Sequence, residues 1–160
     1  LDGSLLRIGR LQFHLRQQAA PRGPLTTGDW FVGVHIPGDG PLDPTAVDKS
    51  LDAAASIFAD RFPDRPIVAA SCDSWLLDPH LATSMPASNM SGFARRFALE
   101  SLRPEPTDAL YFTFRTRDFA RVPRLPRDTS LQRAVLDRIE AGGIWQVGSG
   151  WLPWPAVPSP

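Results

Sequence analysis

Trp30 to Ile36 is β-branched and aromatic, and it stops where Pro37, Gly38, Gly40 and Pro41 remove ladder donors and permit positive φ, so a strand runs into a tight turn. Asp43 then stands as an N-cap with Pro44 at the first helical position. Val47, Leu51, Ala54, Ala55, Phe58 and Phe62 follow at three- and four-residue spacing, the period of a helix with one buried face. Pro63 and Pro66 close that helix, and Ile67 to Cys72 returns as a short apolar run between breakers. Strand, helix of about five turns and strand make a crossover unit over residues 30–72, normally right-handed with its two strands parallel. In open sheets of this kind ligands gather beyond the carboxyl ends of the strands, where the Gly-Asp-Gly-Pro turn at 38–41 lies.

The remaining segments supply the rest of a sheet. Leu6, Ile8, Phe13 and Leu15 alternate with polar residues over 5–17, and the alternation slips at Gly9, which predicts one long strand with a bulge or two sides of a kink. Residues 18–29 read as a loop. Asp78 caps a short helix that starts at Pro79 and runs to about Met85. Phe93, Arg95, Phe97 and Leu99 alternate, and Leu110 to Arg117 is rich in strand formers, so the two predict an antiparallel pair joined across Pro104 and Pro106. Asp128, Thr129 or Ser130 caps a helix carrying Leu131, Ala134, Val135 and Ile139 that stops at Gly142, and Ile144 to Leu152 is the last strand. The expected fold is α/β: a mixed, mostly antiparallel sheet flanked by helices, with one strand-helix-strand crossover.

Composition narrows the function classes. With 160 residues, 42% hydrophobic, the chain fits a single domain, and its 17 prolines fall between the periodic segments rather than inside them. Seventeen basic residues balance 17 acidic ones, so no overall field favours nucleic acid or an anionic membrane. Cys72 is the sole cysteine, no apolar run reaches about 18 residues and no charged-then-apolar leader stands at the start, which together predict a soluble, cytoplasmic protein. His14, His35 and His80 lack metal-ligand spacing, and neither a Gly-x-Ser-x-Gly elbow nor a phosphate loop ending in Gly-Lys-Ser/Thr is present. The chain begins at Leu1 in mid-phrase, as a fragment of a longer protein would.

The succession GVHIPGDGPLDPTAVDKSL, SCDSWLLDPHL and TSLQRAVLDRIEAGGIWQVGSGWL resembles the C-terminal, GNAT-like domain of actinobacterial acyltransferase-domain proteins. The likeness covers about residues 5–152. It implies that residues 1–152 are one GNAT-like domain, the C-terminal part of a longer protein, with 153–160 a Pro-rich tail. It also implies an acyl-CoA co-substrate and no metal. Acyl-CoA would lie where the strand before the turn and the strand after the helix splay apart. Main-chain amides of the first strand, at Val34 and Ile36, would hold the pantetheine arm. Those of the turn and helix start, at Gly38, Gly40 and Leu42, would hold the pyrophosphate, an anion that a helix N-terminus suits on physical grounds alone. In typical members the turn reads Gln or Arg, two residues, Gly, one residue, then Gly or Ala; here it is His35-Ile36-Pro37-Gly38-Asp39-Gly40, with His35 in the basic position. Asp39 and Asp43 put two carboxylates beside the phosphate site, which is costly unless Arg side chains or a metal compensate.

The implied reaction is acyl transfer from acyl-CoA to a small-molecule amine by direct attack. In it His35 is the general base, its unperturbed pKa near 6.5 suiting neutral pH, and Ser74 the donor to the leaving thiolate, with Trp75 walling the substrate pocket. Bland readings stand beside these: His35 as a strand histidine bonded to a carbonyl, Ser74 as a turn or helix-start residue, Trp75 as core, Cys72 as a buried small hydrophobe and Asp78 as a cap. The alternative to an enzyme is a non-catalytic, degenerate module that binds a small apolar ligand or packs against a missing N-terminal domain. A thiol mechanism at Cys72 is a more distant reading.

Overall fold

A computed structural model describes residues 5–155; the outer part of the Pro-rich tail lies outside the described residues. Six strands form one sheet: β1 (Leu5–Ile8), β2 (Leu11–Gln17), β3 (Trp30–His35), β4 (Ile67–Ser74), β5 (Ala98–Pro104) and β6 (Gln146–Pro153), in the spatial order β1-β2-β3-β4-β6-β5. Among the described residues only the β3–β4 pair is parallel. The crossover that joins them is α1 (Pro44–Arg61). Asp43 caps it by accepting a 3.0 Å bond from the Ala46 N–H, and Val47, Leu51, Ala54 and Phe58 are its buried stripe. The fold class and the crossover expected from the sequence are those observed.

Three local expectations fail. Residues 5–17 are a hairpin rather than one strand: Gly9, at φ +61°, and Arg10 form a two-residue turn, and Ile8 pairs with Leu11 across it. The alternation slips because the chain reverses there. Of residues 93–99 only Ala98 and Leu99 are in a strand. Asn89–Ala94 is a short helix, α3, capped by Ser88, and β5 begins only at Ala98. Residues 110–117 are not a strand either, since Asp108–Phe114 is a helix, α4, that buries Ala109 and Leu110, and β5 therefore pairs with β6. The expected helix at 79–85 is α2 (Pro79–Ser84). The last helix is α5 (Ser130–Glu140), on which Thr129 and Gln132 form a reciprocal capping box.

One core unites Leu11, Phe13 and Leu15 of β2, Val32 and Val34 of β3, Ala70 and Cys72 of β4, the α1 stripe, Val135 of α5 and the indoles of Trp75 and Trp145. Smaller clusters lie between α4 and α5 (Leu110, Val122, Leu136) and around Leu25, Phe31, Ala69 and Trp151. A buried carboxylate ties the distant parts together. Asp78, 2% exposed, accepts 2.9 Å bonds from the His80 N–H of α2, from Arg138 of α5 and from the Gln146 N–H that opens β6. The tight turn at Trp75–Leu77 lies directly on β6, because a Cβ on Gly148 would stand 2.7 Å from the Leu77 Cβ and 3.0 Å from its carbonyl oxygen.

Candidate functional site

The parallel ladder between β3 and β4 ends at Gly33↔Ser71, although both strands continue. Beyond that rung β3 is held only by β2, through Phe13↔Val34 and Gln12↔His35, and β4 only by β6, through Cys72↔Gly150 to Ser74↔Gly148. Each strand finds its ladder on its outer side, so the sheet opens without leaving either strand unsupported. The opening is a cleft of about 670 Å³. Val34, His35 and Ile36 line one wall and Cys72, Asp73 and Ser74 the other, while Gly38, Gly40 and Leu42 stand at its mouth. All eight residues named from the sequence, including Trp75, therefore meet in one place.

The mouth is built by the β1–β2 hairpin. On α1, Ser50 donates to the Ile8 carbonyl and accepts from the Leu11 N–H at 3.1 Å, which pins the hairpin turn to the helix. Arg10 is thereby held beneath the glycine turn. Its guanidinium, 10% exposed, donates to the carbonyls of Pro41 (2.7 Å), Pro37 (2.7 Å) and Gly40 (2.5 Å). With the carbonyls turned toward Arg10, no hydrogen bond among the described residues engages the N–H groups of Gly38, Gly40 or Leu42. The carboxylates beside the turn are occupied. Asp39 accepts two bonds from Arg7 (2.9 and 3.2 Å), which hold its carboxyl below the ordinary range, and Asp43 caps α1.

A second cation faces the turn from the opposite side of the cleft. Arg115 follows α4 in the left-handed region, φ 60° and ψ 29°, and its N–H donates to the Tyr111 carbonyl. A non-glycine residue there costs about 1–3 kcal/mol, a strain that clusters at ligand sites. A Cβ on Gly38 would lie 3.4 Å from the Arg115 guanidinium, and no carboxylate pairs with Arg115 among the described residues. Sequence reasoning missed both arginines as site residues. The alternation over 5–17 suits a bulged strand or a kink as well as the hairpin that aims Arg10, and the composition of 110–117 suits a strand rather than the helix that leads into Arg115.

Deeper in, His35 is exposed at the end of β3, and its ring lies 6.4 Å from that of His14. Partial burial of the ring, then His14 and Arg16, push its pKa below the usual 6.5 against an opposing pull from Asp73. It is neutral at pH 7 and able to accept a proton. Ser74 caps the Trp75–Leu77 turn, its Oγ accepting from the Leu76 N–H at 3.1 Å, and its own O–H remains a donor. Trp75 is 6% exposed and packs edge-on against Trp145 at 5.7 Å, so it is core and cleft wall at once. Cys72 is buried, and burial pushes its thiol up to about 12, which is incompatible with a thiolate nucleophile at neutral pH. Among the described residues no cluster of His, Cys, Asp or Glu has the makings of a metal site, and no helix is long and apolar enough to cross a membrane.

Residues 5–152 match the GNAT-like C-terminal domain family. The chain belongs to that family. No curated protein matches it. Among solved structures this GNAT-like domain is similar to an acyltransferase in complex with CoA and 10C-teicoplanin, at 34% identity and a TM-score of 0.81 over 94% of this chain and 47% of that one. It is also similar to an acyltransferase in complex with decanoyl-CoA, at 33% identity and a TM-score of 0.82 over 94% of this chain and 46% of the other. A third likeness is to an acyltransferase mutant in complex with octanoyl-CoA, at 34% identity and a TM-score of 0.81, again over 94% and 47%. The GNAT-like domain thus spans about half the length of the acyltransferases it resembles.

Proposed function

We propose that the protein binds an acyl-CoA in the splay between β3 and β4 and transfers the acyl group to an amine by direct attack. The observation that carries this reading is the ladder that stops at Gly33↔Ser71 above a glycine turn in which Arg10 draws the carbonyls of Pro37, Gly40 and Pro41 to itself. Such a turn presents its amides, the α1 N-terminus and Arg115 to an anion of the size of a pyrophosphate. The similar structures hold CoA, octanoyl-CoA or decanoyl-CoA, which supports an acyl-CoA as the donor.

In the reaction the amine nitrogen attacks the thioester carbonyl carbon. A main-chain amide of the open β3 edge, at Val34 or Ile36, stabilises the oxyanion, His35 takes the proton from the attacking nitrogen, and Ser74 donates to the departing thiolate. Trp75 forms the apolar floor that excludes water. The teicoplanin present with two of the similar acyltransferases supports a small-molecule acceptor, and the half of those chains that has no counterpart here supports a further domain that completes its site. The cleft is open rather than plugged, which favours the transferase over a binding module.

Calorimetric titration with CoA, acetyl-CoA and decanoyl-CoA tests the donor. Saturable binding that Gly40→Glu abolishes is the expected result, and absence of binding to all three by folded protein refutes the reading. With a donor bound, His35→Gln is expected to lower the rate of amine acylation by about 10²–10⁴ with little change in CoA affinity.

A further inference from the structure

Phe112 is the most conspicuous cleft residue that this reaction leaves without a task. It lies on α4, is 54% exposed, and lines the same cleft as Arg115 three residues later. A large aromatic side chain left half in water at the rim of a cleft loses the burial that its neighbours Ala109 and Leu110 gain. Phe112, whose ring packs edge-on against Tyr111 at 5.4 Å, and Arg115, just past the end of α4, both line the cleft, so this end of α4 offers it an aromatic plane and an arginine. That pairing fits a nucleotide, in which a flat base lies a few ångströms from a phosphate.

We propose that α4 is the nucleotide-recognising element of the site, with Phe112 stacking on the adenine of the acyl-CoA while Arg115 binds its phosphate. The proposal rests on the acyl-CoA reading given above. The polarity of the cleft assigns Phe112 to this end of the ligand. Arg115 stands at Gly38, at the mouth, whereas the acyl group belongs near Ser74 and Trp75 at the floor, so the end of α4 that carries Phe112 and leads into Arg115 belongs with the phosphates. The adjoining pocket of about 340 Å³ near the α1 N-terminus offers no competing platform. Its one aromatic, Phe93, is 2% exposed, and its Arg96 is already bound to Asp48 at 2.6 Å and to the Pro44 carbonyl.

The test compares CoA with 4′-phosphopantetheine, which keeps the arm and one phosphate but lacks the adenosine. Phe112→Leu keeps apolar bulk and removes the aromatic plane, and Phe112→Trp restores one. Exposure at this position leaves folding of both variants intact, which a thermal melt checks directly. Titration calorimetry is expected to show CoA affinity falling about tenfold in Phe112→Leu, the size of one base–aromatic stack, and recovering in Phe112→Trp, with 4′-phosphopantetheine affinity unchanged throughout. Arg115→Gln is expected to weaken both ligands. Equal loss for the two ligands in Phe112→Leu, or a loss seen only with decanoyl-CoA, assigns Phe112 to the arm or the acyl chain and overturns the proposal. So does CoA affinity indifferent to position 112. Failure of the unsubstituted protein to bind CoA at all is a different outcome, since it overturns the acyl-CoA reading and this proposal falls with it.

Discussion

Arg10 separates pre-organisation of the glycine turn from stability of the domain, and Arg10→Met measures the difference. The guanidinium makes three bonds to main-chain carbonyls of the turn. Once it is removed those carbonyls pass to water at an exposed turn, so the expected stability loss is modest, below about 2 kcal/mol at roughly 0.5–1.5 kcal/mol net per bond with the solvated alternative partly compensating. Ligand binding fares worse. Pro37 and Pro41 keep their φ, but Gly38, Asp39 and Gly40 regain theirs, and fixing a residue costs about 1–2 kcal/mol. Three residues give about 3–6 kcal/mol, of which the Arg7–Asp39 pair retains a share. About 3 kcal/mol then falls on the ligand, or roughly a hundredfold in Kd at about 1.4 kcal/mol per tenfold. Calorimetric titration with CoA beside urea unfolding of the same samples reads both quantities. Unchanged CoA affinity refutes the argument, and so does a stability loss large enough to account for the weaker binding. Arg10→Lys, a point charge unable to span three carbonyls, is expected to fall between the two.

Three further expectations follow from the same geometry. Asp78→Ala leaves Arg138 and the His80 and Gln146 N–H groups without their acceptor inside the fold and is expected to cost about 3–5 kcal/mol, lowering Tm by about 10 °C, whereas Asp78→Leu with Arg138→Met recovers only the share of the unpaired Arg138 charge, the two N–H groups still lacking an acceptor. Gly148→Ala drives a methyl group into Leu77, so a loss of about 1–3 kcal/mol in urea unfolding is expected, and a neutral result removes the close approach as the reason for glycine there. If His35 is the base of the proposed acyl transfer, the acid limb of that rate is expected to report it: its pKa lies below 6.5, the neutral base predominates above it, and the rate falls as pH drops through that lower value. The stability sign is the same. The folded state binds the proton less readily than the unfolded chain, so His35, and His80 likewise through burial, destabilise the fold as pH drops below about 6.5; His35→Gln removes its share of both effects.

The crossover at 30–74 was readable because prolines and caps bracket each change of period, and the helix is long enough, at 18 residues, to display 3.6-residue repetition. The elements misread are the short ones. Helices α3 and α4 have six and seven residues, less than two full turns, and Phe93, Phe97 and Leu99 happen to alternate while LYFTF carries strand formers. Tertiary burial decided there: Leu110 and Ala109 pack among residues of α5 and the core, and that outweighs propensity. The difference matters for Arg115, which stands just past the end of a helix, where it faces Gly38, rather than within a strand. The cleft-lining residues carried on the crossover itself, His35, the turn glycines and Ser74, needed only the correct unit to be placed together.

The rung at Gly33↔Ser71 has a mechanical consequence. Three strands lie on either side of it, β1-β2-β3 and β4-β6-β5, and the two leaves are stitched to each other only along the first half of their shared margin. A molecule seated in the open half therefore meets the unladdered margins of both leaves, and whatever bonds it makes there leave the ladders inside each leaf intact. Amide exchange along the free margins of β3 and β4 should slow when the cleft is filled, while the ladders inside each leaf remain as protected as before.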